Sequence, residues 1–526
     1  MRPLLRSTAR LTLLLGALLP SACADDTESA TGGPTTHTAS DPPGLCAPSG
    51  GGPHWLREGE TLTFTIGCTT SLSLDGTALE ITGLPPGATH DPATGEVRFT
   101  PALDQAAVYD VTVHVPATDE TTHVKIGVAD AWDDPANIPV LDPARYGEEY
   151  GLPVLFLDRR PLTEEYDANT ITYRGHAYLA EAKLRGASSL SYPKNSYTLK
   201  FAKDDRFQEP DEAFGFTDRR KLVLISTFDD NSYVRQRLAY DLWNALDPAH
   251  LQIKTYSAVV YIEGAYWGLY TVADHPDKDF MEAHGYSEDG NLYKAIDHDA
   301  NFDRISIQYG GEKSTLHDGY EKKEGLPLEG EPGAFADLEA LVDFVATSDS
   351  ATFTSGIASR IDQRDYEDWW IFVTFILGSD SAGKNSYHYR DPTTDGVFRY
   401  MPWDFNDSFG QTWQTARASA STFRDYTDMN RLFERFLEEP TLGPALRARY
   451  ADVLRTIYTE EAIQALVTGY IDRIDASARR DEHRWGEAYR TYGDWSFRTD
   501  FTTYDEELAY LRAWLTERWQ FQAATY

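Results

Sequence analysis

The sequence predicts an α+β fold in which a small all-β sandwich module precedes a larger domain of two lobes, and three observations carry that prediction. Apolar residues alternate along Leu62, Phe64 and Ile66, along Val111, Val113 and Val115, and along Val124, Ile126 and Val128, the period of half-buried strands. From residue 139 to about residue 275 the chain reads as strands dense in Tyr, Val and Leu. After that, apolar residues recur at helical spacing, as in Val453, Leu454, Ile457 and Tyr458 and again in Ile463, Leu466, Val467, Tyr470 and Ile471. Strands grouped ahead of helices are the pattern of an α+β domain, and 526 residues leave room for such a domain and an accessory module.

The chain opens with Arg2, Arg6 and Arg10 ahead of the apolar run Leu11 to Leu19. That is the layout of an export signal, too short for a permanent membrane helix. The run ends in LPSAC, and small residues before Cys23 resemble the bacterial lipoprotein cleavage box, in which the cysteine is acylated and becomes the mature N-terminus. Pro20 stands where that box usually has leucine, and a plain secretory signal cut near Ala22 or Ala24 is the alternative. The expectation is an exported protein with residues 1–23 as signal, held to a membrane in the periplasm or on the cell surface only through a lipid on Cys23, or else secreted. Residues 24–53 are rich in Thr, Ser, Gly and Pro and poor in aliphatic residues, which predicts a disordered tether.

Residues 54–130 form the predicted sandwich. Within it, LPPGATHDPATGEVRFTP at 84–101 resembles a signature of bacterial surface immunoglobulin- or cadherin-like modules, with one turn at Pro85, Pro86 and Gly87 and another at Ala93, Thr94 and Gly95. No catalytic spacing occurs there, so the module reads as a spacer or a binding surface. Cys46 and Cys68 are the only cysteines beyond Cys23, and an oxidising compartment permits one bridge between them.

The formal charge of −35, from 83 acidic against 48 basic residues, excludes nucleic acid as a partner and favours basic ones. Three segments concentrate chemistry against that background. In AKLRGASSLSYPKNSYTLKF, residues 182–201, Gly186 permits a tight turn, and Ser188, Ser189 and nearby amides can bond phosphate oxygens. Arg185, Lys194 and Lys200 supply the positive charge that a triphosphate needs. The second segment runs from KLVLISTFDDNSYVRQRLAYDLWNAL into SAVVYIEGAYWGLYTVAD, ending at Asp274. In the third, an apolar helix around Trp369 to Leu377 enters GSDSAGKNSYHYRD, and MPWDFNDSFG follows at 401–410. Asp380 and Asn385 have Asp-x-x-x-x-Asn spacing, which lets one loop offer a carboxylate to an attacking hydroxyl and a neutral oxygen to Mg²⁺, while Asp404 adds a charged metal ligand.

Together these segments resemble the CotH kinase family, over most of residues 140–410. The resemblance implies a protein-kinase-like catalytic domain at 139–526, with a small lobe at about 139–275 and a large helical lobe at about 276–526. It implies a Mg²⁺-dependent enzyme that moves the γ-phosphate of ATP to serine-type hydroxyls of protein substrates, basic and serine-rich ones being the first to consider. Asp380 is then the catalytic base, Asn385 and Asp404 hold metal, and Arg185, Ser188, Lys194, Lys200, Asp274 and Lys294 are the candidate nucleotide contacts. Lys194 matches the family's lysine best, whereas Lys200 ends a strand as a protein-kinase lysine does, and both stay open. Lys294, in NLYKA, falls where the family also has lysine, and the second strand pair leads to the hinge that passes the adenine ring.

Departures from the family are Asn406 in place of the second acid of Trp-Asp-x-Asp, Asp274 in place of glutamate, and Gly378 and Ser379 in place of the kinase His-Arg. A catalytically weak kinase-fold surface scaffold or adhesion protein is the alternative, and a glycoside hydrolase using Asp404 and Asp407 ranks below it. Asp297, Asp299, Asn301 and Asp303 alternate like a calcium loop, but Phe302 and Gln308 replace the glycine and glutamate such a loop needs, so the expectation is a polar loop. The Trp- and Tyr-rich tail from Trp485 to Trp519 reads as core packing rather than a sugar-binding surface.

Overall fold

A computed structural model describes residues 48–68, 79–116, 119–132, 141–211, 214–495 and 502–526, all within one compact unit. The expectations for the signal, for Cys23 and Cys46 and for the tether as far as residue 47 fall outside the described residues, whereas the tether's last residues, 48–53, belong to the folded region, with Pro48–Ser49 paired as a strand. Among the described residues no helix is long and apolar enough to cross a membrane.

The N-terminal region is β-rich. Strands His54–Arg57, Glu120–Ala129, Ala107–Val115 and Glu80–Thr82 make one sheet in that order, and Leu62–Thr65, Glu96–Phe99 and Thr89–His90 make a second. Val111, Val113, Val124, Ile126 and Val128 from the first sheet meet Val97 and Phe99 from the second in an apolar core, while Leu62 and Phe64 are only partly covered. Cys68 is disulfide-bonded to a partner outside the described residues, and Pro48 pairs with Cys68 across a two-stranded ribbon.

The region is seated on the rest of the chain through buried charge. Arg480, on the helix Glu460–Arg490, reaches Asp130 Oδ2 at 2.7 Å with one nitrogen. Its other nitrogen reaches Glu149 Oε2 at 2.6 Å and donates to the Tyr261 hydroxyl at 2.9 Å. Glu58 braces the end of the module itself by accepting from the backbone of Gln105, Ala106 and Ala131. Asp130 sits one residue past the end of the sandwich strand Glu120–Ala129, so this seam joins the module to the following domain through a shared guanidinium.

The next sheet closes on itself. Leu152–Leu157, Asp167–Tyr173, His176–Arg185, Ser196–Phe201, Lys221–Ile225, Ala265–Asp274 and Thr255–Ile262 follow one another, and Leu152–Leu157 also pairs in parallel with Thr255–Ile262. The alternate residues Leu155, Ile171, Tyr178, Tyr197, Leu224, Tyr270 and Val260 fill the interior. The other face, including Phe156, Val223 and Tyr261, packs on the helix Arg235–Leu246 and shares one core with the helical region.

Beyond residue 276 the chain is not helical throughout. A four-stranded antiparallel sheet, Tyr320–Glu324, Asn291–Ala295, Ser386–Arg390 and Phe398–Pro402, lies between the first helices and the last ones. Its apolar alternation is short and broken by polar residues, which hid it behind the stronger helical pattern. The helix Gln363–Ile376 is buried on nearly every side, including Trp369, Trp370 and Phe372, and Leu377 ends it in the left-handed conformation at φ 57°. That reversal, reinforced by Gly378 N bonding back to Val373 O, delivers Asp380 out of the core.

Candidate functional site

A cleft of about 880 Å³ opens between the closed sheet and the four-stranded sheet. The structure brings Arg185, Ser188, Lys294, Asp380, Asn385 and Asp404 to its walls. Local geometry explains each. Arg185 ends the strand His176–Arg185, and Gly186 turns the chain at φ 127°, where a Cβ would stand 1.9 Å from Ser189 Oγ. The turn continues as the short helix Ser188–Ser191, which exposes Ser188 to the cleft. Asn385 and Asp404 both adopt left-handed backbone, at φ 56° and 61°, a conformation that Asn and Asp tolerate better than most residues. Asn385 N donates to Ala295 O and Trp403 N donates to Asn385 O, so the two turns hold each other at the strand ends.

The Asp380 carboxylate is fully engaged. Asn385 Nδ2 donates to its Oδ2 at 2.9 Å, Lys384 Nζ lies 2.7 Å from its Oδ1, and His298 Nε2 lies 3.6 Å from the same oxygen. Its backbone is fixed by Asp407, whose Oδ2 accepts from Asp380 N at 3.1 Å and Ser379 Oγ at 2.8 Å. Asp407 is buried away from the cleft, and burial with the nearby Asp380 charge pushes its carboxyl up to about 7. It therefore does not pair with Asp404 across a sugar, whereas Asn406 does line the cleft.

Asp404 accepts from Gln236 Nε2 at 3.3 Å, and its backbone N donates to the Tyr240 hydroxyl, so the helix Arg235–Leu246 positions it. Asp229 stands beside it, 8% exposed, with its carboxyl pushed up to about 7 by burial and by the charges of Asp404 and Asp230. Sequence reasoning passed over Asp229, Gln236 and Lys384. The Asp229-Asp230 pair was a signal, but only the structure separates the two: Asp230 is consumed by Ser232 and Arg235, leaving Asp229 to the cleft.

Opposite these acids, Arg185 lies over the Trp403 ring at 5.1 Å, and neither Arg185 nor Lys294 makes an ion pair among the described residues. Burial, Arg185 and Lys323 together hold the Lys294 ammonium below the usual lysine value, against the opposing charges of Asp404 and Glu321.

Three expected nucleotide contacts are corrected. Lys194 is fully buried, with Nζ 2.6 Å from Asp481 Oδ2 and donating to Leu269 O at 2.7 Å. Lys194 lies in the bend before the strand Ser196–Phe201, and its side chain points to the helix Glu460–Arg490 rather than into the cleft. Lys200 pairs with Glu181 on the neighbouring strand at 2.7 Å and lies over the Tyr166 ring, and it is not part of the cleft wall. Asp274 is buried against Arg219 Nε at 2.7 Å and accepts from Lys254 N, a structural tie at the strand end.

The acidic loop at 297–303 already holds a cation. Lys313 Nζ donates to Asp299 O and to Asn301 Oδ1, amid the charges of Asp297, Asp299, Asp303 and Asp318. Burial lowers its ammonium to about 8, and Asp299 spends its carboxylate on Ser306, Ile307 and Gln308. The loop is polar and lysine-filled.

The donors in the cleft suit a divalent ion held on phosphates. Among the described residues no group of three or more His, Cys, Asp or Glu is arranged for a metal. Mg²⁺ on a polyphosphate needs only one or two carboxylates, however, with the phosphates and water completing its shell. Asp404 supplies one carboxylate, Asn385 a carbonyl oxygen, and Asp229 lines the cleft beside them.

A closed sheet joined to a helical body, with carboxylates and unpaired cations facing each other across one cleft, defines an α+β protein equipped to hold a polyanion and a cation together. The family model described as CotH kinase protein matches residues 182–522, more than half the chain, and the protein belongs to the CotH kinase family. It is similar to the inner spore coat protein H of Bacillus subtilis (strain 168), with 25% identity over 306 residues that cover 58% of this chain and 79% of that protein.

Proposed function

We propose that this chain is an exported protein kinase of the CotH type that moves the ATP γ-phosphate to serine-type hydroxyls, with Mg²⁺ as cofactor. The observation that carries this reading is the meeting, in one cleft, of Asp380, Asn385 and Asp404 with the unpaired cations Arg185 and Lys294. In it the closed sheet acts as the small lobe and the second sheet with its helices as the large lobe of a kinase-like arrangement.

Asp404 and Asn385 would hold the metal, with Asp229 and Asn406 beside them, and bound Mg²⁺ would neutralise charge on the phosphate oxygens. Asn385 gives its amide nitrogen to Asp380, which leaves its carbonyl oxygen for a cation. Arg185, Lys294 and the hydroxyl of Ser188 receive phosphate oxygens. Asp380 accepts the hydrogen of the acceptor hydroxyl on Oδ1, in competition with Lys384, whose displaced ammonium stays close to the transferring group.

A basic, serine-rich peptide is the acceptor to use first, because the −35 charge attracts basic partners. The disulfide at Cys68 favours an oxidising compartment, in line with export and a lipid on Cys23. Cell fractionation of Cys23→Ala tests the anchor: the variant leaves the membrane fraction, and unchanged fractionation rules the anchor out.

For the site itself, calorimetry is expected to show Mg²⁺–ATP binding to the wild type and at least ~10-fold weaker binding to Asp404→Ala, with transfer lost as well, because a charged metal ligand has gone. Equal affinity in the two proteins would remove Asp404 from the metal site. No binding to either would favour the scaffold reading.

A further inference from the structure

The turn that carries Ser188 has little of its own to hold it in place. The short helix Ser188–Ser191 has no buried residue and no side chain capping its start, and Ser188 and Ser191 are both exposed. Its local bonds are Ser191 Oγ donating to Ser188 O at 2.7 Å and two backbone contacts, Leu190 N to Ala187 O and Tyr192 N to Ser189 O. Asn195, just before the strand Ser196–Phe201, gives Nδ2 to Leu190 O at 3.1 Å. Residues that must order themselves around a ligand weaken its binding by the entropy they lose, so a turn aimed at phosphates binds best when something already fixes it.

A residue 301 positions further on reaches back to it: the Tyr492 hydroxyl lies 2.5 Å from Ser191 Oγ. Ser191 gives its one hydrogen to Ser188 O, so Tyr492 is the donor, and the relay runs from Tyr492 through Ser191 to Ser188. The Tyr492 ring is itself pinned, edge-on to Tyr192 and Phe228 with centroids 5.5 and 5.6 Å away, and tilted on Trp495 at 4.8 Å. Tyr192, Phe228, Tyr489 and Trp495 form a small buried core of their own, against which Tyr492 packs. Two of them belong to the cleft side: Tyr192 directly follows the turn, and Phe228 directly precedes Asp229, whose Oδ2 accepts from the Tyr192 hydroxyl at 3.4 Å. Tyr489, Tyr492 and Trp495 come from the end of the helix Glu460–Arg490 and the residues after it. Within the aromatic tail that the sequence marks as core packing, these three residues leave the main core and close on the cleft instead.

We propose that Tyr492 is a positioning residue of the nucleotide site, fixing the turn Ser188–Ser191 in the conformation that receives phosphate oxygens. This rests on the nucleotide reading above and adds to it a residue from the far end of the chain. Tyr492 does not line the cleft, so its effect reaches the phosphates only through the turn it holds.

The experiment is a double-mutant cycle on the full chain, with Tyr492→Phe, Ser191→Ala and the two combined, read by calorimetry with Mg²⁺–ATP and Mg²⁺–tripolyphosphate, and with urea unfolding to confirm that each protein is folded. Tyr492→Phe keeps the ring among its aromatic neighbours and removes only the hydroxyl. It is expected to bind both probes about 3- to 10-fold more weakly, the scale of one hydrogen bond, and equally for the two because the turn meets phosphate and not base. The combined variant binds no more weakly than Ser191→Ala, since Tyr492 acts only through that hydroxyl. Ser191→Thr, which keeps a hydroxyl to accept from Tyr492, returns affinity to within about twofold of the wild type. Wild-type affinity in Tyr492→Phe overturns the assignment, and so does a loss from Tyr492→Phe that persists in full when Ser191 is already alanine. A wild type that binds neither probe overturns the nucleotide reading and this inference with it.

Discussion

Asp380→Asn is expected to slow phosphate transfer by about 10³-fold while Mg²⁺–ATP affinity stays within a few-fold. The asparagine is isosteric and keeps one oxygen, so one of the two donors that now hold the carboxylate, Asn385 Nδ2 or Lys384 Nζ, retains its acceptor, and the partly exposed Lys384 can turn to water without disturbing the loop. Asp407 continues to bind the backbone N of residue 380, because that contact does not involve the side chain. What disappears is the capacity to take a proton from the acceptor hydroxyl. Single-turnover transfer to a basic serine-rich peptide, measured beside calorimetry with Mg²⁺–ATP, separates the two effects. Transfer at the wild-type rate would take the base role away from Asp380, and a loss of affinity as large as the loss of rate would move it to the metal.

Lys194→Ala is expected to destabilise the protein by about 3–5 kcal/mol, because it strands the Asp481 carboxylate in the interior. Asp481 Oδ2 also accepts from Leu269 N at 2.6 Å, so the carboxylate cannot swing out to water without orphaning a strand amide. The double variant Lys194→Met with Asp481→Asn recovers most of the loss, since it removes both charges and leaves an acceptor for Leu269. Urea unfolding measures the stability of each variant. Because Lys194 does not reach the cleft, the folded fraction of Lys194→Ala keeps wild-type affinity for Mg²⁺–ATP. A variant of normal stability and weak nucleotide binding would instead make Lys194 a phosphate contact.

These two residues mark where the sequence was legible and where it was not. Asp380 and Asn385 lie five residues apart on one loop, and Asp404 follows after a single strand pair, so their meeting is a local matter that spacing can express. The partner of Lys194 is 287 residues away, and a lysine that faces a buried helix has the same local sequence as one that faces a ligand. The same limit applies to the loop at 297–303, whose cation is a lysine ten residues beyond its last aspartate, Asp303. The β-rich start and the helices were clear because their periods are long and clean. Closure of the sheet through the parallel pairing of Leu152–Leu157 with Thr255–Ile262 has no sequence period at all, being set by which edges meet.

Arg480 bears on how such a chain could have been assembled. Modules of surface proteins are often exchanged as beads, with nothing shared between neighbours but a linker. Here one guanidinium answers to Asp130 at the end of the module and to Glu149 at the start of the next sheet, while the adjoining Asp481 anchors Lys194 behind the turn at Gly186. Swapping the module for another would leave a buried arginine half-answered on the helix that also braces the cleft. The two parts are therefore bound to diverge together, and a transplant between relatives should carry the acid at 130 with the arginine at 480 as a single heritable unit.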